Sequence, residues 1–334
     1  MTTLETLLST RDWLMADGAT GTNLFAMGLE AGEAPELWNE SEPGKVRALY
    51  DGAIVAGSDL FLTNSFGGNA ARLQLHDAAA RAFELNRIAA EIAREAADAA
   101  GRPVVVAGSM GPTGEIMAPL GPLTVAAAAD LFEEQARGLL AGGVDVLWVE
   151  TISSAEEFEA AATGIARTGA PWCGTMSFDT NGRTMMGLTA ADMVGLVGRL
   201  PAKPLAFGAN CGVGASDLLR TVLGFALAHP DLPLIAKGNA GIPKFHDGHI
   251  HYDGTPELMA DYAVLARDCG ARIIGGCCGT TPAHLVAMRA ALEATPAGPR
   301  PEPAEIEARL GAFSSASDGS DGAPAGRERR RRRS

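Results

Sequence analysis

The chain has 334 residues, 47 % hydrophobic and 20 % charged, with a formal net charge of -13. That balance suits a large globular enzyme and argues against nucleic acid as its main partner, and no apolar run is long enough to span a bilayer. The five cysteines are odd in number and each stands beside a glycine, so they do not read as a disulfide framework; with no basic flank ahead of an apolar N-terminal run, the expected location is the cytoplasm.

Eight compact apolar runs read as strands: Trp13–Asp17, Leu60–Asn64, Val104–Ser109, Val146–Glu150, Trp172–Ser177, Ala206–Asn210, Leu234–Lys237 and Ile273–Gly276. Helix-like stretches separate most of them. The clearest runs from Asp77 to Ala100, where Ala82, Leu85, Ile88, Ala89 and Ile92 recur at helical spacing. Gly101 stops it and Pro103 opens the next strand. Such alternation fits a (β/α)8 TIM barrel, α/β in class, better than an open doubly wound sheet. Nearly every strand is followed by a polar or glycine-rich cluster, among them DGATGTN, TNSFGGN, SMGPTGE, NCGVGASD, KGNAG and GGCCGTTP. In a barrel these clusters converge on one face. Residues 1–312 are expected to form one barrel domain. Residues 313–334, rich in Ser, Gly and Asp and ending in the basic run Arg327 to Arg333, are expected to be a disordered tail.

Cys277 and Cys278 are adjacent, with glycine on both sides, directly after the last strand; Cys211 ends the sixth. Two strands that lie two apart in a barrel bring their C-terminal ends to one centre. Three thiolates suit Zn2+ at about 2.3 Å each and leave a fourth tetrahedral position open, as in catalytic zinc sites. From spacing alone a redox dithiol or buried packing remain alternatives. Cys173 and Cys269 have no comparable setting and read as structural. Asp17 and Glu150 end strands at the same face, where a substrate ammonium would offset the cost of their burial; Asp17 also suits a helix cap. His246, His249 and His251 lie between turn signals and read as a surface hairpin rather than a metal cluster.

The motifs DGATGT, AGSDLFLTNSFGGN, GSMGPTGE, VDVLWVET, GANCGVG, KGNAGIP and GGCCGTTPAH, spread over about Leu14 to Leu292, resemble the homocysteine S-methyltransferases. The resemblance implies a zinc barrel that methylates homocysteine to methionine. It makes Cys211, Cys277 and Cys278 the zinc ligands. Asp17 and Glu150 become the partners of the homocysteine amino group, and the backbone around Gly18, Ala19 and Thr20 holds its carboxylate. Asn239 matches an amide near the metal, whose oxygen is expected to fill the fourth position without substrate. The chain carries no folate- or cobalamin-binding region, which implies a small onium donor or a separate methylcorrinoid protein. A quaternary ammonium wants an aromatic cage, and Trp38 is expected to supply one wall. Thr151 and the segment Thr63–Asn69 lack the tyrosines typical of animal betaine enzymes. Glycine betaine is the expected donor, with S-methylmethionine or another sulfonium, or the corrinoid protein, as alternatives; outside enzymes the alternative is a structural zinc or redox-thiol protein. A homo-oligomer is compatible with these features.

Overall fold

The computed structural model describes residues 3–228, 230–246 and 249–320. Ten strands occur in it: β1 (Leu14–Met15), β2 (Leu60–Leu62), β3 (Val105–Met110), β4 (Val146–Ile152), β5 (Trp172–Met176), β6 (Ala206–Cys211), β7 (Leu234–Gly238), β8 (Pro243–His246), β9 (His249–Tyr252) and β10 (Ala271–Gly276). Eight form one parallel sheet in the order β1-β10-β7-β6-β5-β4-β3-β2, and β8 pairs with β9 in a separate antiparallel hairpin. This is the expected barrel. The three-histidine segment is the expected hairpin; residues 247–248, between its strands, lie outside the described residues.

Side-chain parity builds two layers of core. Leu60, Leu62, Val105, Ala107, Val146, Trp148 and Ile235 fill the interior, where Leu4 and Leu7 of the helix Leu4–Thr10 join them. The alternate residues Phe61, Val106, Leu147, Val149 and Ala236 face the surrounding helices. The same period of two extends the interior series upward, to Ser109 from Ala107, Glu150 from Trp148, Lys237 from Ile235 and Asn210 from Gly208. Polar groups are thereby stacked on an apolar plug.

No backbone ladder joins β1 to β2 among the described residues, and carboxylates fasten that seam instead. Asp59 accepts the Met15 N–H at 2.9 Å through Oδ2, while its own N–H donates to the Met15 carbonyl at 2.7 Å. Asp17 Oδ2 accepts the Leu62 N–H at 2.8 Å. Asp59 also meets Arg11 at 2.5 Å and Arg289 at 3.0 Å. An amide in place of this buried carboxylate keeps an oxygen for the Met15 N–H but removes the charge that faces two partly exposed guanidiniums. Asp59→Asn is expected to lower the unfolding free energy by about 1–2 kcal/mol, read as a reduced denaturant midpoint.

Two boundaries differ from expectation. The long helix spans Ala82–Ala99, not Asp77 onward, because Asp77 adopts a left-handed backbone (φ 54°) between two 3-10 turns. The packed chain also runs past residue 312. The Arg220 guanidinium lies 4.3 Å from the Phe313 ring centroid, Arg220 donates to the Ser315 carbonyl at 2.7 Å, and the Ser314 N–H donates to Asp217 at 3.0 Å. The arginine-rich run lies outside the described residues. Among those described, no helix is long and apolar enough to cross a membrane.

Candidate metal and substrate site

The Sγ atoms of Cys211, Cys277 and Cys278 all lie within 4.8 Å of one another, and none of the three is in a disulfide. Tetrahedral ligation at about 2.3 Å needs sulfurs about 3.8 Å apart, so this group fits a metal ion with small adjustment. The backbone explains the convergence. Asn210 points inward, so alternation would send Cys211 toward the helices; its left-handed backbone, φ 62°, turns the thiol back to the barrel mouth. A non-glycine residue held in that region is a mark of functional sites. Gly279, at φ 78°, makes the tight turn after the vicinal pair, where a Cβ would stand 2.4 Å from Tyr252. Cys173 and Cys269 are buried away from this group, as expected.

Two amides support the sulfurs. Asn210 Oδ1 accepts the Thr151 N–H at 2.9 Å and the Thr175 hydroxyl at 2.7 Å, which orients its NH2 toward Cys277 Sγ at 3.7 Å. The Asn239 oxygen accepts the Cys278 N–H at 3.0 Å, and its NH2 donates to the Gly212 carbonyl at 2.9 Å while facing Cys211 Sγ at 3.7 Å. The expected fourth ligand is thus an amide beside the cluster whose oxygen is committed to the main chain. Its N–H, like that of Asn210, offsets negative charge on sulfur. The Cys277 thiol is pushed above the ordinary thiol range, first by its hydrogen bond to Cys211 and further by burial; a bound divalent cation reverses that preference.

The cluster opens into a cavity of about 440 Å³. Its floor carries Glu150 and Lys237 beside Cys277. Glu150 Oε1 accepts the Ser109 hydroxyl at 2.5 Å. Burial raises its pKa, and Lys237 and Ser109 work against the shift. Lys237 is 2 % exposed, with Nζ 2.6 Å from Asp17 Oδ1. Burial works against its charge, but Asp17 and Glu150 outweigh burial and hold it above the ordinary lysine range. Sequence reading placed both carboxylates at this face but missed the lysine already paired to one of them. A lysine at the end of an apolar strand, two residues beyond an inward isoleucine, is the signal that would have found it. Asp17 borders a smaller, adjoining cavity with Gly18, Ala19, Thr20 and Leu62, four residues that the main cavity shares. The Ala19 N–H is bonded to the Thr280 carbonyl at 3.1 Å.

The walls include Phe25, Phe66 and Tyr252, with Glu36, Arg72 and His76. Glu36 is 4 % exposed and accepts the Gly67 N–H at 2.6 Å; burial raises its pKa, against the pull of that bond, Arg72 and His76. Trp38 is not part of this wall. It is 7 % exposed in the helix-side core, with Lys45 Nζ 4.4 Å from its ring centroid. It borders a neighbouring cavity that shares Glu33, Ala34 and His76 with the main one.

Comparison with known proteins agrees with this geometry. The homocysteine S-methyltransferase family model matches residues 14–292. Methionine synthase of Mycobacterium tuberculosis is 31 % identical over 301 residues, 84 % of this chain and 24 % of that protein. Methionine synthase of Mycobacterium leprae is 30 % identical over 297 residues, again 84 % of this chain and 24 % of that protein. The chain therefore spans about a quarter of the length of these relatives. Among solved structures, the oxidized form of the Escherichia coli homocysteine methyltransferase MmuM aligns with a TM-score of 0.70 at 28 % identity, covering 86 % of this chain and 98 % of that one. Its metallated form gives 0.69 at 27 %, covering 86 % and 99 %. With the three-cysteine group inside the matched region of an eight-stranded barrel, the chain belongs to the homocysteine S-methyltransferase family.

Proposed function

We propose that this chain is a zinc-dependent homocysteine S-methyltransferase that takes its methyl group from glycine betaine and forms methionine and dimethylglycine. The carrying observation is the placement of three free thiols within 4.8 Å at one side of a cavity with a charged floor and aromatic walls. Zinc, when held by Cys211, Cys277 and Cys278, supplies a Lewis-acid position at which the acceptor's sulfur is a thiolate at neutral pH. The protein's own groups do the rest. Asn210 and Asn239 orient and stabilise the cysteine sulfurs. Glu150 binds the acceptor ammonium, and the cavity aligns the acceptor sulfur with the donor methyl; positioning of this kind carries much of the rate. Attack forms the new S–CH3 bond as the donor C–N bond breaks, and the leaving amine is neutral at nitrogen, so the attack needs no protein acid or base.

For the donor, Phe25, Phe66 and Tyr252 line the cavity, and aromatic rings of this kind attract an onium head. The buried Glu36 carboxylate, whose burial favours its protonation, gains a cationic partner when such a head binds. Arg72 and His76, on the same wall, suit the donor's carboxylate. The test is turnover of the zinc-loaded protein with homocysteine and each of glycine betaine, S-methylmethionine and a methylcorrinoid protein. Equal amounts of methionine and dimethylglycine are expected from betaine; methionine formed only from a sulfonium or the corrinoid overturns the donor assignment. Phe66→Ala is expected to raise the betaine KM by about three- to thirtyfold, with the homocysteine KM unchanged.

A further inference from the structure

The end of the barrel away from the cysteines carries a separate cavity of about 470 Å³, with cations in its wall. Arg11, Asp59 and Arg102 stand just ahead of β1, β2 and β3, at the N-terminal ends of the parallel strands, and Arg289 reaches them from the helix Pro282–Ala294. The chemistry of such a barrel gathers at its other end. Three guanidiniums line this cavity with two carboxylates, Asp59 and Glu293. The buried Asp59 is shared between Arg11 at 2.5 Å and Arg289 at 3.0 Å, while Glu293 lies out in solvent and pairs with Arg289 at 2.6 Å. Among the described residues no carboxylate bonds to Arg102. Its Nη2 donates to the Ile54 and Ser58 carbonyls at 2.7 and 2.8 Å. A guanidinium carries five N–H donors, so those on Nε and Nη1 are left over. Arg11 likewise commits Nη1 alone, to Asp59. Arg289 is braced by the Trp13 ring, 4.9 Å from centroid to guanidinium. Burial lowers the pKa of Arg102, and Arg289 and Arg11 lower it further against the pull of Asp59. The cavity thus gathers surplus positive charge on a chain whose net charge is -13. Its margin is apolar, with Val55 86 % and Val286 53 % exposed.

We infer that this cavity binds a phosphate monoester, with Arg11 and Arg102 on the phosphate and Val55 and Val286 against its organic part. A phosphate monoester brings a charge of about -2 near neutral pH and three strong acceptor oxygens. Two guanidiniums with uncommitted N–H groups match those oxygens, because the planar fork of arginine suits phosphate. The bound charge also offsets the repulsion among the three arginines. The volume exceeds what a bare phosphate fills, and the two valines are apolar surface that an organic group would cover. The site stands apart from the metal and from the cavity at the barrel mouth, so its occupation depends on neither the acceptor nor the donor.

The experiment titrates the zinc-loaded protein calorimetrically with phenyl phosphate, inorganic phosphate, succinate and phenol, all at one ionic strength. Wild type is compared with Arg102→Gln, Arg102→Lys and Val286→Asp. Wild type is expected to bind phenyl phosphate with a Kd of about 0.1–1 mM. Inorganic phosphate should bind about three- to tenfold more weakly, for want of the apolar contact, and succinate and phenol more weakly still. Arg102→Gln should weaken phenyl phosphate by about tenfold or more, the scale of a charge-assisted hydrogen bond. Arg102→Lys, which keeps the charge, should retain part of the affinity. Val286→Asp adds a carboxylate at an exposed position outside the guanidinium bonds and should also weaken binding. Phosphate held at the zinc would be indifferent to all three substitutions. Methionine formation should be unchanged in each variant. Saturating phenyl phosphate should raise the denaturant midpoint of wild type and leave that of Arg102→Gln where it was. Should Arg102→Gln fail to fold, Val286→Asp decides alone. No binding by wild type, or equal affinity in wild type and the folded variants, overturns the site. Succinate bound as tightly as phenyl phosphate overturns the choice of phosphate.

Discussion

Cys277→Ser is expected to release the metal and to abolish methyl transfer together, with the fold retained. Cys277 is hydrogen-bonded to Cys211 within the sulfur group and approached by the Asn210 amide at 3.7 Å. Serine keeps the shape of the side chain but replaces a soft thiolate with a hydroxyl that does not ionise at neutral pH, leaving two sulfurs. Changes to the groups that merely orient metal ligands cost about ten- to a hundredfold in affinity, so losing a ligand should cost more than about a hundredfold. Elemental analysis after dialysis against a mild chelator, alongside circular dichroism, checks this. Stoichiometric zinc in the folded variant would remove Cys277 from the ligand set.

Glu150→Gln is the second large effect. The substitution keeps an oxygen for the Ser109 hydroxyl, which bonds Glu150 at 2.5 Å, and deletes only the charge. Truncating one partner of a buried charge pair costs about 2–4 kcal/mol, or about thirty- to a thousandfold in affinity. The homocysteine KM is expected to rise on that scale with a much smaller change in kcat. The pH dependence has a definite sign. Burial raises the pKa of Glu150, so the carboxylate takes up its proton above the usual carboxylate range. Wild-type KM for homocysteine should therefore climb as pH falls through that raised range, and the glutamine variant should lack this limb. A variant with wild-type KM at every pH would place the ammonium elsewhere.

Much of this was legible in the sequence, for identifiable reasons. Strands buried on both faces leave unbroken apolar runs, and all eight barrel strands were recovered to within a few residues. The cysteine trio was legible because glycines flank the vicinal pair and Cys211 stands at a strand end. Its convergence still depended on the left-handed backbone at Cys211, φ 62°, which no residue preference announces. Trp38 is buried beside the main cavity rather than in its lining, and an isolated tryptophan reads the same in sequence in either place. Lys237 was overlooked as one letter of a polar cluster, although parity with Ile235 points it inward. The chain beyond residue 312 reads as low complexity, yet Phe313 and a few backbone groups suffice to lay it against the barrel.

The acidic clasps between β1 and β2 also constrain how this active site can change. Asp17 serves the wall and the floor at once, accepting the Leu62 N–H with one oxygen and Lys237 with the other. A substitution there disturbs architecture and recognition in a single step. Glu150 and Lys237 line the cavity without a second duty in the seam, so a change in the charge of the cavity floor, by evolution or by design, has its freest route through those two positions, with Asp17 left as it is.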